Sequence, residues 1–279
     1  LGSAAAEQAL GPFLNPKEQA LNSPGDVVTK VCASEYAWLF EEVWGPEVCN
    51  PANEALAYDR IGYSIAAYEA STEVNAFSSK YDYSLPGKAQ LSKQERRGLA
   101  LFQGKGKCSK CHVIDGRAPL FTDFTYDNLG MPKNPENPAT IADPNWADPG
   151  LGGFLATRPE YQGYAAANMG KQKVPTLRNV DLRDFVGGVK AYGHNGYFKS
   201  LEGIVHFYNT RDVKPVCPGP YTEAQALAEN CWPAPEVAQN VNTGELGNLG
   251  LTKADEAAIV AFMKTLSDGY APPPSKKKK

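Results

Sequence analysis

Cys108, Cys111 and His112 stand in the order C-x-x-C-H inside the stretch GKGKCSKCH, residues 104–112. That order is the attachment signature of c-type haem. Cysteines at i and i+3 project from nearby sides of one helical turn, so both sulfurs can reach the two vinyl groups of one porphyrin. Two thioethers then fix the ring edge to the turn, and the imidazole of His112 is directed over the ring towards the iron. Zinc uses the same residue types, but its sites bring a second ligand pair at a distance, and adjacent Cys and His close a tetrahedron awkwardly. The sequence holds no second C-x-x-C and no H-x-x-x-H. A thioredoxin-like redox pair would sit in a βαβ pattern, which is lacking here. One covalent haem c is the expectation.

A haem iron has a sixth position, and its occupant separates electron transfer from substrate chemistry. The candidates are His194, His206, Met131, Met169, Met263 or a tyrosine. In SLEGIVHFYN, residues 200–209, Leu201, Ile204, Val205 and Tyr208 fall at i, i+3, i+4 and i+7, one helical face. His206 lies roughly 200° from Tyr208 around a helix of ~3.6 residues per turn. The apolar stripe selects Tyr208 for the core and turns His206 outward. By spacing alone Tyr208 reads first as a core aromatic. Met263, beside Ile259, Phe262 and Leu266, reads as packing. Met131 and Met169, in glycine-flanked loops, stay open as ligands, and His194 in YGHNGYF either orders a loop or belongs to the haem pocket.

These residues need elements to position them. The stretch 25–45 carries Val28, Val31, Tyr36, Leu39, Phe40 and Val43 at helical spacing and stops at Gly45-Pro46. A second helix is expected over 53–74, with Leu56, Ile61, Ile65 and Tyr68 near one stripe. Ser92-x-x-Glu95 is a capping box opening the helix that ends just before the cysteines. Residues 113–180 are loop-rich, because prolines forbid long helices there. Ser200 caps the short helix of Tyr208, and Thr252-x-x-Asp255 opens an amphipathic helix over 252–266. Residues 211–250 are expected to be loop. The expected fold is mainly α, a cytochrome c-like helical haem domain with long Pro/Gly-rich loops and at most short strands. Residues 1–22 read as a lead-in, 23–270 as a single haem domain and 271–279 as a solvated tail.

The 279 residues carry 28 basic and 31 acidic side chains, a formal charge of −3, which argues against nucleic acid as a partner. No apolar run approaches the ~20 residues that span a bilayer. Beyond the motif, four cysteines form two sequence-local couples, Cys32–Cys49 and Cys217–Cys231, expected as disulfides. Bridges of this kind belong to an oxidising compartment such as the periplasm. The chain is therefore expected to be exported, its signal peptide already removed.

Four stretches carry a resemblance to a known family: LSKQERRGLALFQGKGKCSKCH, FTDFTYDNLGMP, KVPTLRNVDLRDFVGGVKAYGHNGYFKSLEGIVHFYN and LTKADEAAIVAFMKTLSD. In this order they resemble the C-terminal haem domain of the bacterial di-haem cytochrome c peroxidase and MauG superfamily. EQALGPFLNPKEQAL resembles the segment joining that family's two haem domains. The resemblance implies His112 as proximal iron ligand and places Tyr208 where peroxidases carry a methionine ligand and MauG a tyrosine. It implies haem-environment contacts for Arg178 and His194. Calcium, held between domains in that family partly by carbonyls upstream of the His194 position, is a weaker expectation, because the local sequence differs and the other domain lies outside this chain.

Family members carry two C-x-x-C-H sites and this chain carries one. The resemblance implies an electron-relay domain of a periplasmic peroxidase or MauG-like oxidoreductase, passing electrons to or from a peroxide-reactive haem. Its partners would be an N-terminal haem domain or separate haem subunit and other periplasmic electron carriers; a homo-oligomer stays open. The alternative is a stand-alone single-haem carrier without peroxidase activity. A third reading is a domain in which haem only organises loops.

Overall fold

The structure, a computed structural model, describes residues 1–182 and 190–272. It divides into two compact units, Leu1–Phe77 and Ser78–Lys279. That boundary falls inside the 23–270 span expected as one domain. Residues 1–22 are more than a lead-in, since they contain the first helix of the first unit.

In the first unit α1 (Ala4–Leu14), α2 (Pro24–Cys32), α3 (Ala37–Trp44) and α4 (Glu54–Glu69) surround a core of Val27, Val28, Phe40, Val48, Ala57 and Ile61. Ser3 and Ser23 cap α1 and α2 by accepting from Ala6 and Asp26 backbone N–H groups. The single helix expected over 25–45 is two. The Ala33 N–H closes α2 on the Thr29 carbonyl, and Cys32 is tied to Cys49, so the chain turns before α3 starts. On α3 only Phe40 is buried, while Leu39 and Val43, and Tyr36 just before the helix, are exposed.

The second expected helix ends at Glu69, short of residue 74, and its stripe is shifted. Ala57, Ile61 and Gly62 face inward, whereas Leu56 and Tyr68 are exposed. Close approach of α1 is the cause: a Cβ at Gly62 would lie 2.7 Å from the Ala6 carbonyl, so small residues hold that face. Periodicity finds large apolar residues and is blind to this requirement.

In the second unit α5 (Lys80–Ser84) and α6 (Lys93–Gln103) open the chain, each with a capping box, Ser79/Asp82 and Ser92/Glu95. A long irregular stretch follows. It holds β1 (Tyr126–Asp127), the short helices α7 (Pro138–Ala142), α8 (Gly150–Ala156) and α9 (Gln162–Ala165), and β2 (Gln172–Lys173). β1 and β2 pair antiparallel, Tyr126 opposite Lys173 and Asp127 opposite Gln172. Then come α10 (Leu201–Thr210), α11 (Glu223–Ala228) and α12 (Lys253–Lys264). α10 and α12 begin at the expected caps, Ser200 and Thr252. α11 departs from the loop expected over 211–250; its own box, Thr222/Gln225, starts it, and the Cys217–Cys231 disulfide encloses it.

The core is built on the crossing of α6 and α12. At Gly98 a Cβ would sit 1.9 Å from the Ala258 carbonyl, so only glycine permits this approach. Around the crossing Tyr81, Phe102, Phe121 and Phe262 meet edge to face with centroids 5.2–6.3 Å apart. A second aromatic group, Phe198, Phe207 and Trp232, carries α10. Among the described residues the fold is mainly helical with one two-stranded pairing, as expected. No described helix is long and apolar enough to cross a membrane. Both expected disulfides are formed.

Candidate haem site

The end of α6 sets the motif. Gly106 N–H donates to the Leu101 carbonyl at 2.8 Å, and Lys107, in the left-handed region at φ 56°, redirects the chain into a 3-10 turn over Cys108–Lys110. His112 N–H closes that turn on the Cys108 carbonyl at 2.9 Å. Cys108, Cys111 and His112 thereby line one cavity of about 550 Å³ inside the second unit. α10 supplies Leu201, Ile204, Val205 and Tyr208 to its wall, the face that their spacing picks out.

His112 is oriented from behind. Its Nδ1 lies 2.7 Å from the Phe121 carbonyl, an acceptor, so Nδ1–H donates and Nε2 keeps its lone pair. Burial lowers the pKa of His112 below its ordinary 6.5, partly offset by the Phe121 carbonyl and the Asp123 charge, so the imidazole is neutral at pH 7. A neutral imidazole with one nitrogen tied back is the state that binds a metal.

The two thiols are free of any disulfide. Burial pushes Cys108 up to about 12, and burial together with Glu245 and Asp127 pushes Cys111 up to about 11. A zinc site needs thiolates, which this surrounding opposes, whereas a thioether carries no charge. The residues that could jointly hold a bare ion among those described are Cys111, Asp127 and Glu245, not the C-x-x-C-H set. Cavity volume, apolar walls, two neutral thiols and an oriented neutral imidazole all fit a covalently attached haem.

Arg178, His194, Met131 and Met263 also line the cavity. The Arg178 side chain is buried; its Nη1 and Nη2 donate to Asp82 at 2.8 and 2.7 Å, and its Nε donates to the Pro119 carbonyl at 2.9 Å. His194 Nε2 is 2.9 Å from Glu236. His206 does not line the cavity: its Nδ1 meets Glu256 at 3.0 Å, and its ring packs by Trp232. Met169 lines a separate pocket with Glu236. Burial raises the Tyr208 pKa well above 10.0, and the nearby Cys108, Cys111 and Asp127 add to the rise.

Sequence reasoning missed Phe121, Asp82, Glu236 and Glu245. Asp82 could have been found from its capping box with Ser79. The Phe121 contact uses a backbone carbonyl, and the two glutamates sit in aperiodic loop, so none of these three leaves a sequence signal.

A helical fold built around this cavity defines a c-type cytochrome. The family model described as di-haem cytochrome c peroxidase matches residues 3–90. Methylamine utilization protein MauG of Paracoccus denitrificans is 32% identical over 94% of this chain and 65% of its own length. Cytochrome c551 peroxidase of Nitrosomonas europaea is 32% identical over 71% of this chain and 49% of its own. The crystal structure of the dihaem peroxidase BthA from Burkholderia thailandensis superposes with a TM-score of 0.74 at 28% identity, covering 95% of this chain and 64% of that one. The chain belongs to the di-haem cytochrome c peroxidase/MauG family of haem oxidoreductases. It spans between about half and two thirds of the length of these relatives.

Proposed function

We propose that this chain is the electron-relay haem domain of a periplasmic peroxidase or MauG-like oxidoreductase, holding one haem c through Cys108, Cys111 and His112. The observation that carries the reading is one cavity that gathers the two neutral thiols, the oriented imidazole and the Tyr208 face of α10. Bound there, haem supplies a reversible one-electron iron couple. His112 offers Nε2 to the metal and is kept from rotating by the Phe121 carbonyl. Tyr208 is the proposed sixth ligand. Its buried hydroxyl holds its proton strongly, so a phenolate here requires a cation in the cavity, and a haem iron would supply one. An anionic oxygen ligand favours the oxidised metal, giving a low potential suited to passing electrons onward.

The partner is a second haem domain or subunit of the kind that the longer relatives carry, together with periplasmic electron carriers. Calcium at the domain junction is not part of this proposal. Intact mass of natively produced protein tests attachment: the bare peptide mass overturns the reading. Absorption and electron-spin-resonance spectra of Tyr208→Phe test the sixth ligand. Loss of the tyrosinate bands is expected, and an unchanged spectrum removes Tyr208.

A further inference from the structure

His194 stands at the tip of a tight hairpin. Tyr192 and Phe198 exchange backbone hydrogen bonds at 2.8 and 3.2 Å, and Gly193 and Gly196 turn the chain at φ 81° and 70°. The buried Asn195 anchors this tip. Its Nδ2 donates to the Pro132 carbonyl at 2.8 Å and to Glu236 at 3.0 Å, and its own carbonyl accepts from Asn134 Nδ2 at 2.9 Å. His194 is exposed as a residue but its side chain is only 18% exposed, and the residue is part of the haem-cavity wall.

Glu236 lies behind that ring. Its side chain is 2% exposed, and it lines the separate pocket beside Met169 rather than the haem cavity. Oε2 accepts from His194 Nε2 and Asn195 Nδ2, while Oε1 accepts from the Asp148 N–H at 3.3 Å. Its backbone N–H donates to the carbonyl of Met131, another residue of the cavity wall, at 2.8 Å. Burial alone would raise the Glu236 pKa, but the donors from His194 and Asn195 hold it below its ordinary value, so the group is a carboxylate. A carboxylate offers acceptors only, which places a proton on Nε2 of His194 and, in the neutral ring, leaves Nδ1 as the unprotonated nitrogen.

We infer that Glu236 is a positioning residue that locks His194 in the Nε2–H tautomer and so presents its unprotonated Nδ1 as a hydrogen-bond acceptor on the haem-cavity wall. The inference rests on the haem reading for its purpose, since such an acceptor would receive a proton-bearing group entering beside the cofactor. The tautomer itself stands on the 2.9 Å contact of Nε2 with Glu236 and on that group being a carboxylate.

The test is long-range proton–nitrogen correlation spectroscopy of the full chain at pH 8. With three histidines in the sequence, the signals that vanish in His194→Gln are those of His194, so assignment is direct. The expected wild-type result is a single Nε2–H tautomer for His194. Two protonated nitrogens, an Nδ1–H tautomer or fast averaging would each overturn the inference. Glu236→Gln, which can turn its carbonyl oxygen towards His194, should keep the tautomer. Glu236→Met and Glu236→Asp, which remove or withdraw the acceptor, should lose it. A merely structural role would lower the melting temperature in these variants without moving the nitrogen shifts, and that outcome sinks the proposal. If Glu236→Met does not fold, Glu236→Asp and the wild-type spectrum still decide. Haem content by mass is recorded on the same samples, so failure of the haem reading is seen separately from failure of the tautomer.

Discussion

The Phe121 carbonyl holds His112 by Nδ1 at 2.7 Å, and Phe121 does so from a left-handed backbone at φ 54° with its own ring fully buried. The ring anchors in the aromatic group of the α6–α12 crossing, so the core of the fold and the orientation of the imidazole are one construction. His112→Ala should leave both thioethers in place, so the mass gain from haem persists, while the visible spectrum changes and added imidazole restores it. A spectrum identical to wild type would exclude His112 as a ligand.

At the α6–α12 crossing, Gly98→Ala should destabilise the second unit severely. The added methyl would meet backbone, which cannot swing aside, and overpacking of this kind costs about 3 kcal/mol or more. Thermal or urea unfolding followed by circular dichroism measures it. A loss under about 1 kcal/mol would mean that the two helices approach less closely than described.

Arg178 and Asp82 form a buried two-pronged pair at the cavity edge. Arg178→Met leaves the Asp82 carboxylate without its main cation, and breaking a buried pair from one side costs roughly 3–5 kcal/mol. The double variant with Asp82→Asn should recover part of that loss, because no orphaned charge remains and the Ser79 donors keep an acceptor. Urea midpoints of the two variants make the comparison.

Acid should weaken the α12 N-terminus in a defined window. Hydrogen bonds from the Thr252 hydroxyl and backbone, with help from Arg97, lower Asp255 from 3.8 to about 2. A depressed carboxylate contributes stability that is fully present above its unfolded pKa and is lost as pH falls through the folded one. The window therefore runs from about pH 4 down to about pH 2. Asp255→Asn should lower stability at pH 7 by about 1 kcal/mol, as for a lost cap. It should also flatten the acid limb of melting temperature against pH, and an unchanged limb would remove Asp255 as its source.

The local grammar of the chain was legible in its sequence. C-x-x-C-H, the boxes at Ser92 and Thr252, the cap at Ser200 and the face carrying Tyr208 are patterns within a few residues, and short-range hydrogen bonding and helical geometry fix them. The two sequence-local disulfides belong with them. Where large apolar residues at helical spacing were the guide, as over 25–45 and 53–74, the reading ran helices together or chose the wrong stripe. Packing there is decided by a partner helix at close range, which selects Gly62 and Ala57 over Leu56.

Tertiary structure alone decided which residues share the cavity. Only the folded chain brings Phe121 behind His112, Asp82 beside Arg178 and Glu236 behind His194. Each of these contacts joins segments 9 to 96 residues apart in the chain. Two of them end on side chains whose partners no periodic pattern encodes, and the third ends on a backbone carbonyl that any residue could offer. Side-chain chemistry and local spacing set what the motif can bind. The long-range path of the backbone sets what surrounds it, because a hydrogen bond depends on where its partners meet and not on where they stand in the chain.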